Sequence, residues 1–245
     1  MTVVRRLSRI GVSVLLLSLL GFATQCATGR QELRPLAPLS AASPDAAWDE
    51  LLRIRRAEPR LASYSSIRVE SGGSKQSFRA TIATDEKGRL RVDAFTPMGT
   101  AAFTLYVDGS ESTMIDHMNR TWWRGPFSTA ARSLGLPASL DARGLAMIAF
   151  GLPASALDAG DRGERITQDG VRYLVERSGI AEARADEWTA QFDASSFPAA
   201  AVTIVSADGA RSVSVRHIDV GAATRAVDEP RIDRSYRCCV EPATR

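Results

Sequence analysis

LRVDAFTPMGTAAFTLYVDG, Leu90 to Gly109, reads as two strands around one turn. Leu90, Val92 and Ala94 alternate with Arg91 and Asp93, and Phe103, Leu105 and Val107 resume the alternation after the break. A period of two puts the apolar set on one face and the charged set on the other. Pro97 and Gly99 are ordinary turn residues. Met98 between them is apolar where a solvated turn carries Asn, Asp or Ser. Such a side chain either projects from the tip or folds back onto a neighbouring strand.

The same period continues outward. Ile67 and Val69 alternate with Arg68 and Glu70, and Phe78, Ala80 and Ile82 with Arg79 and Thr81. Asp85-Glu86-Lys87-Gly88 and Asp108-Gly109 are the intervening turns. Met114 and one of Trp122 or Trp123 fall on later strands around the turn HMNR. Phe127 to Gly135 and Leu140 to Phe150 then read as two short helices. Ser128 and Ser139 are the expected caps, Gly135 and Gly151 the expected stops. Leu134, Leu140, Leu145 and Ile148 form their apolar sides. Strands resume at Val171-Tyr173-Val175, Trp188-Ala190-Phe192, Val202-Ile204 and Val213-Val215. Upstream, Ser43-Pro44-Asp45 starts a helix that runs to Arg56 or Glu58 and stops at Pro59. Ala47, Leu51 and Ile54 make its apolar face, with Trp48 and Leu52 beside it.

Alternating strands interrupted by a helical pair predict a mainly β fold. The expected architecture is a strongly curved antiparallel sheet with an N-terminal helix and the two short helices over its concave face. Incomplete coverage of an apolar face by short helices leaves a hydrophobic cavity.

The first 25 residues stand apart. Arg5, Arg6 and Arg9 precede the apolar run IGVSVLLLSLLGFA, too short for the roughly 20 residues of a membrane-spanning helix. Basic, apolar and small-residue regions in that order make a secretory signal. Cys26 stands where a bacterial lipoprotein signal places its lipidated cysteine, although Gln25 departs from the usual Gly, Ala or Ser. A plain secretory signal with an incidental cysteine is the alternative. The expected organisation is a signal over 1–25, a lipidated tether over 26–43, a domain over 44–232 and a flexible tail over 233–245. The chain has 31 Lys and Arg against 28 Asp and Glu. Three of those arginines and no acids fall in the signal, so the mature part balances at 28 of each. That removes the support for a nucleic-acid surface. Cys238 and Cys239 read as two exposed thiols in a disordered tail, with metal binding or intermolecular pairing as the alternatives, and the weak alternation after Val227 leaves room for a last edge strand.

Motifs for catalysis are scarce. The sequence has no Walker loop, dinucleotide glycine pattern, HExxH or GxSxG. His117 lies in a turn, and His217 shares parity with Val213 and Val215, where a lone histidine is a hydrogen-bonded structural residue. Asp85-Glu86 and Asp186-Glu187 read as solvated charge at turns or strand ends. No catalytic residue, metal or cofactor is expected.

GRLRVDAFTPMGTAAFTLYVDG, the NRTWW turn and strand, the helical pair and FGLPAS together resemble the outer-membrane lipoprotein-sorting protein LolB and its LolA-like relatives. That family has a strand leading into a Pro-Leu-Gly turn and a later helix ending in Gly-Leu-Pro. Pro97-Met98-Gly99 and Gly151-Leu152-Pro153 match in order and spacing, and the resemblance covers Leu61 to Ala159. It implies a half-open barrel with a helical lid over a cavity that takes acylated lipoproteins from a periplasmic LolA-like carrier. It also implies a monomer on the periplasmic face of the outer membrane, with Ala27 after the cysteine supplying no acidic retention signal. The protruding leucine of the family turn helps deliver cargo, which gives Met98 the role of a membrane-insertion tip. Candidate acyl-chain wall residues are Phe78, Ile82, Val92, Phe103, Leu105, Tyr173, Trp188 and Phe192, with Leu145 and Ile148 from the lid. Ordinary core packing is the other reading for each. The alternatives are a lipoprotein using the same scaffold for another lipid or for a protein partner and, with the least motif support, an enzyme acting on envelope lipid.

Overall fold

The computed structural model describes residues 33–36, 44–57, 60–134, 136, 141–153, 157–159, 164–167, 172–175, 180–185, 188–193 and 199–238. In chain order the elements are β1 (Leu33–Arg34), α1 (Pro44–Ala57), β2 (Leu61–Ser71), β3 (Ser74–Thr84), β4 (Leu90–Phe95), β5 (Ala101–Asp108), β6 (Glu111–Asp116) and β7 (Thr121–Pro126). Two helices follow, α2 (Phe127–Leu134) and α3 (Ala142–Ala149). The second half comprises β8 (Leu157–Ala159), β9 (Glu164–Thr167), β10 (Arg172–Val175), β11 (Ile180–Ala185), β12 (Trp188–Asp193), β13 (Ala201–Ser206), β14 (Arg211–Ala223) and β15 (Arg237–Cys238).

These strands form one curved, open sheet in the order β15-β7-β6-β5-β4-β3-β2-β14-β13-β12-β11-β10-β9-β8, with β1 added on β14. Neighbours are antiparallel except β15, which runs parallel to β7. Hairpins build each half locally. The join is β2 against β14, where Ile67 pairs with Val215 and Val69 with Val213.

Most strand boundaries follow the period of two, and the exceptions have physical causes. β2 starts at Leu61, ahead of the alternation, because its inward positions 63 and 65 are serines. Both are buried, and their hydroxyls bond each other at 2.9 Å. Ser65 Oγ lies 2.9 Å from His217 Nδ1. β11 (IAEARA) carries alanines, poor strand formers, and the burial of Ala183 shows only once β10 and β12 flank it. β8 and β9 are likewise strands that no alternation marked.

α1 spans the expected range, with Leu51 and Ile54 buried and Leu52 half-buried. The expected cap Ser43 and the side chains of Ala47 and Trp48 lie outside the described residues. Both helix starts in the lid differ from expectation. α2 begins directly after β7, so Ser128 lies inside the helix, and Phe127 N–H donates to Ser110 O at 2.7 Å. α3 is capped by Asp141, whose Oδ1 accepts from Gly144 N at 2.6 Å. A carboxylate also complements the helix N-terminus. The expected cap Ser139 and the residues Gly135 and Leu140 lie outside the described set.

The end of α3 is as expected. Gly151, at φ 74°, donates to Ile148 O at 2.9 Å, and Leu152 N–H donates to Met147 O at 2.8 Å. This pair of bonds satisfies two orphan carbonyls and requires the left-handed residue that glycine supplies. Leu152 and Met147, which such a cap brings together, are both buried.

Two stretches read as tether and tail are partly in the sheet. Leu33 and Arg34 pair with Ala223 and Ala222. Gly221 permits this approach, since a Cβ there would lie 2.6 Å from Arg34 O. In the tail, Arg237 and Cys238 pair with Thr121 and Trp122. Cys238 is disulfide-bonded, so it is not the free thiol expected; Cys239 lies outside the described residues.

Candidate functional site

A cavity of about 130 Å³ lies between the sheet and the two short helices. Its floor is built by cross-strand pairing. Ile82 pairs with Val92 and Val92 with Leu105, while Ala94 pairs with Phe103 and Ile67 with Phe78. Leu90 extends the floor on β4, and Val69, Val213, Val215 and Ile204 carry it across the β2–β14 join to β13. The roof consists of Leu134 and Leu136 at the end of α2, and Leu145, Ala146 and Ala149 on α3. Every lining side chain is apolar. Space remains because Ala94, Ala146 and Ala149 occupy wall positions where larger residues would pack it shut.

Six candidate wall residues line this space: Phe78, Ile82, Val92, Phe103, Leu105 and Leu145. Ile148 and Trp188 do not. Leu145, Ala146 and Ala149 share one face of α3, and Ile148 is turned about 100° from that face at 3.6 residues per turn. It is fully buried in packed core instead. Trp188 faces inward on β12, but only 2% of it is exposed, enclosed within the core. Tyr173 and Phe192 fall on β10 and β12, with side chains outside the described residues. The wall residues that sequence reasoning did not select, such as Ile67, Val213 and Ile204, share strand parity with those it did. That parity was the available signal. For Ala94, Ala146 and Ala149 no signal existed, because a small side chain marks a hollow only when its neighbours are known.

His217 holds the roof to the sheet. Its Nε2 lies 2.8 Å from Ala149 O, a carbonyl that can only accept, so Nε2 carries the proton and donates. Nδ1 then accepts from Ser65 Oγ, and Phe150 stacks on the ring at 5.4 Å. Burial pushes the imidazole pKa below its ordinary value, against the pull of the Ala149 carbonyl.

The outer face carries a second histidine. Thr104 Oγ1 donates to Asp93 Oδ1 at 2.7 Å, so it must accept from His117 Nε2 at 3.0 Å. His117 Nδ1 accepts from the Tyr236 hydroxyl, also at 3.0 Å. Burial lowers this imidazole pKa too, partly opposed by Asp93 and Asp116. The cluster ties the C-terminal segment to the sheet and presents no activated nucleophile. Among the described residues, no three His, Cys, Asp or Glu side chains are placed to hold a metal.

The membrane-tip candidates occupy the turn between β4 and β5. Gly99 N–H donates to Thr96 O at 2.9 Å and Thr96 N–H to Thr100 O at 2.9 Å, with Gly99 at φ 81°. Met98 projects from this turn, 92% exposed, and does not fold back on the sheet. Pro97 and Gly99 are exposed beside it. Cys26 lies outside the described residues.

No protein-family model matches the sequence, and no curated protein matches it by sequence. Solved structures that resemble it include a LolA superfamily protein of Nitrosomonas europaea, 11% identical, covering 78% of this chain and 96% of its own, with a TM-score of 0.44. A DUF1329 family protein of Desulfovibrio piger is 10% identical over 77% of this chain and 96% of its own, with a TM-score of 0.48. An outer membrane lipoprotein-sorting protein domain of Vibrio parahaemolyticus is 8% identical over 74% and 93%, with a TM-score of 0.42.

Proposed function

We propose that this chain is a LolB-like envelope lipoprotein, anchored through Cys26 to the periplasmic face of the outer membrane. In this reading it accepts acylated lipoproteins from a LolA-like periplasmic carrier and helps insert them, without enzymatic chemistry. The observation that carries the reading is the cavity, walled entirely by apolar side chains between a curved sheet and two short helices. An acyl chain gains about 0.8 kcal/mol for each CH₂ removed from water, so apolar wall alone suffices to hold one. The motif pairs Pro97-Met98-Gly99 and Gly151-Leu152-Pro153 support the family assignment. The first forms an exposed apolar tip and the second ends the roof helix.

The volume favours a second reading. A space of about 130 Å³ is close to one that holds a single benzene, at about 150 Å³. A long acyl chain enters only if α2 and α3 move off the sheet. A smaller lipid, or a protein partner on the same scaffold, needs no such motion.

The purified chain is expected to carry acylated proteins or lipids detectable by mass spectrometry, and to bind a fluorescent fatty acid that acylated peptide displaces. Phe103→Glu is expected to cut that binding about ten-fold or more, because it places a charge in an apolar wall. A parent chain that binds no apolar ligand would remove the carrier reading.

A further inference from the structure

We infer that Met118 joins Met98 in a two-pronged docking edge for an anionic lipid bilayer. The inference rests on the reading of Met98 as a membrane tip and extends it to a second hairpin. Among the described residues the exposed large hydrophobics are Met98, Met118 at 67%, and Ile218. Ile218 is accounted for by its place at the β14 bulge, where the register shifts between His217 and Asp219. The two methionines have no such local cause.

The strand register places them together. Phe95 pairs with Ala101 at the base of the Met98 turn. Phe103 pairs with Asp116, and His117 N–H donates to Ala102 O at 3.0 Å. The turn from His117 to Arg120 therefore leaves the same end of the sheet as the Met98 turn, one hairpin further along. At about 4.8 Å between strands, the two hairpins stand roughly 10 Å apart. The second tip is held out by its own bonds. Asp116 accepts from Asn119 N at 2.9 Å and from Asn119 Nδ2 at 2.7 Å, while Arg120 O accepts from Arg237 N at 2.9 Å.

The chemistry at this edge selects the partner. Exposed Arg79 sits across from Phe95, exposed Arg120 follows Met118, and exposed Arg237 pairs with Thr121. The acids nearby are Asp93, paired with Arg91 at 2.8 Å, Asp116, engaged by Asn119, and Asp233, which hydrogen bonds from Ser235, helped by Arg120, hold in its charged form. Two apolar knobs flanked by arginines match a surface with anionic headgroups over an apolar interior. A protein partner would need about 800 Å² of contiguous surface, which two isolated tips do not offer.

The test follows hydrogen exchange in the full chain bound to phosphatidylethanolamine vesicles, with and without phosphatidylglycerol. Turns 96–100 and 117–120 are both expected to exchange about ten-fold more slowly on vesicles containing phosphatidylglycerol, the size expected for burying one methionine. Turn 72–73, at the same end but without a methionine, is expected to stay unchanged and serves as the reference. Met118→Glu is expected to abolish protection at 117–120 and weaken it at 96–100, and Met118→Ser to do so without adding charge. Unchanged exchange in β2 and β14 checks that both variants keep the fold. Protection confined to 96–100 and indifferent to both substitutions would overturn the inference and leave the Met98 reading standing. Absence of protection at both turns would overturn both readings. Equal protection on neutral vesicles would overturn the anionic assignment.

Discussion

β4 is flanked by two turns of one backbone design and opposite fate. In each, the first residue's N–H donates to the carbonyl of the fifth, and a glycine in fourth place donates to the carbonyl of the first. The distances are 3.3 and 2.9 Å for Asp85 to Arg89, and 2.9 and 2.9 Å for Thr96 to Thr100. Gly88 sits at φ 75° and Gly99 at φ 81°. Composition exposes the first, Asp-Glu-Lys-Gly-Arg, and leaves the second, Thr-Pro-Met-Gly-Thr, open between a projecting and a folded-back Met98. The structure buries Asp85 and Gly88 of the first, with Glu86 and Lys87 exposed, and exposes the second from Pro97 to Thr100. Asp85 is 2% exposed, and its carboxylate accepts from Lys87 N at 3.0 Å, Arg89 N and Val227 N at 3.2 Å, and Arg89 Nε at 2.8 Å. The expectation of a solvated Asp85 is thus corrected. It is a clamp joining the turn to the C-terminal segment, with α3 packed alongside. Glu86 remains exposed, paired with Arg60 at 2.5 Å, which holds its pKa at about 2. The contrast shows that a turn's burial is decided by what crosses it.

The largest expected effect is at the buried turn. Asp85→Ala leaves Arg89 and the Val227 amide without their acceptor, and should destabilise by about 3–5 kcal/mol. Denaturant melts read this directly. A loss below about 1 kcal/mol would erase the distinction between the two turns. Next comes a paired test of shared backbone and different surroundings. Gly99→Ala should cost about 1–2 kcal/mol, the left-handed penalty alone. Gly88→Ala should cost more, because its Cβ would lie 3.1 Å from Arg143 Cβ. Equal costs in thermal melts would mean that the packing of α3 on this turn contributes nothing.

The histidines give a pH dependence with a definite sign. Both folded pKa values lie below the ordinary one, so the unfolded chain binds protons first as pH falls. Stability is complete above the unfolded value of about 6.5 and declines below it, down through the folded values. A melting temperature that falls from pH 7.5 to pH 5, with a shallower fall in His217→Gln, is the expected result. The smallest effect is at the exposed turn. Met98→Glu should change stability by no more than about 0.5 kcal/mol, as surface substitutions do. It should also leave fatty-acid binding intact and reduce cargo transfer to liposomes. A stable variant that transfers normally would end the case for Met98 as a membrane tip.

The period of two in β3, β4 and β5, the turn glycines, the α3 stop at Gly151 and the face of α1 were all legible beforehand. Each depends on residues within a few positions of one another, where backbone sterics and local hydrogen bonds decide. Such rules also placed Met98 at a tip, though not its direction. Tertiary structure decided the rest. Ser63 and Ser65 are inward strand residues only because His217 arrives from 152 positions away to bond Ser65. Ile148 packs and Ala146 lines a hollow because the sheet lies against one side of α3. Asp85 is buried because Val227 and α3 cross its turn. In each case a side chain's surroundings come from distant segments, and burial and free volume exist only between surfaces that the fold has brought together.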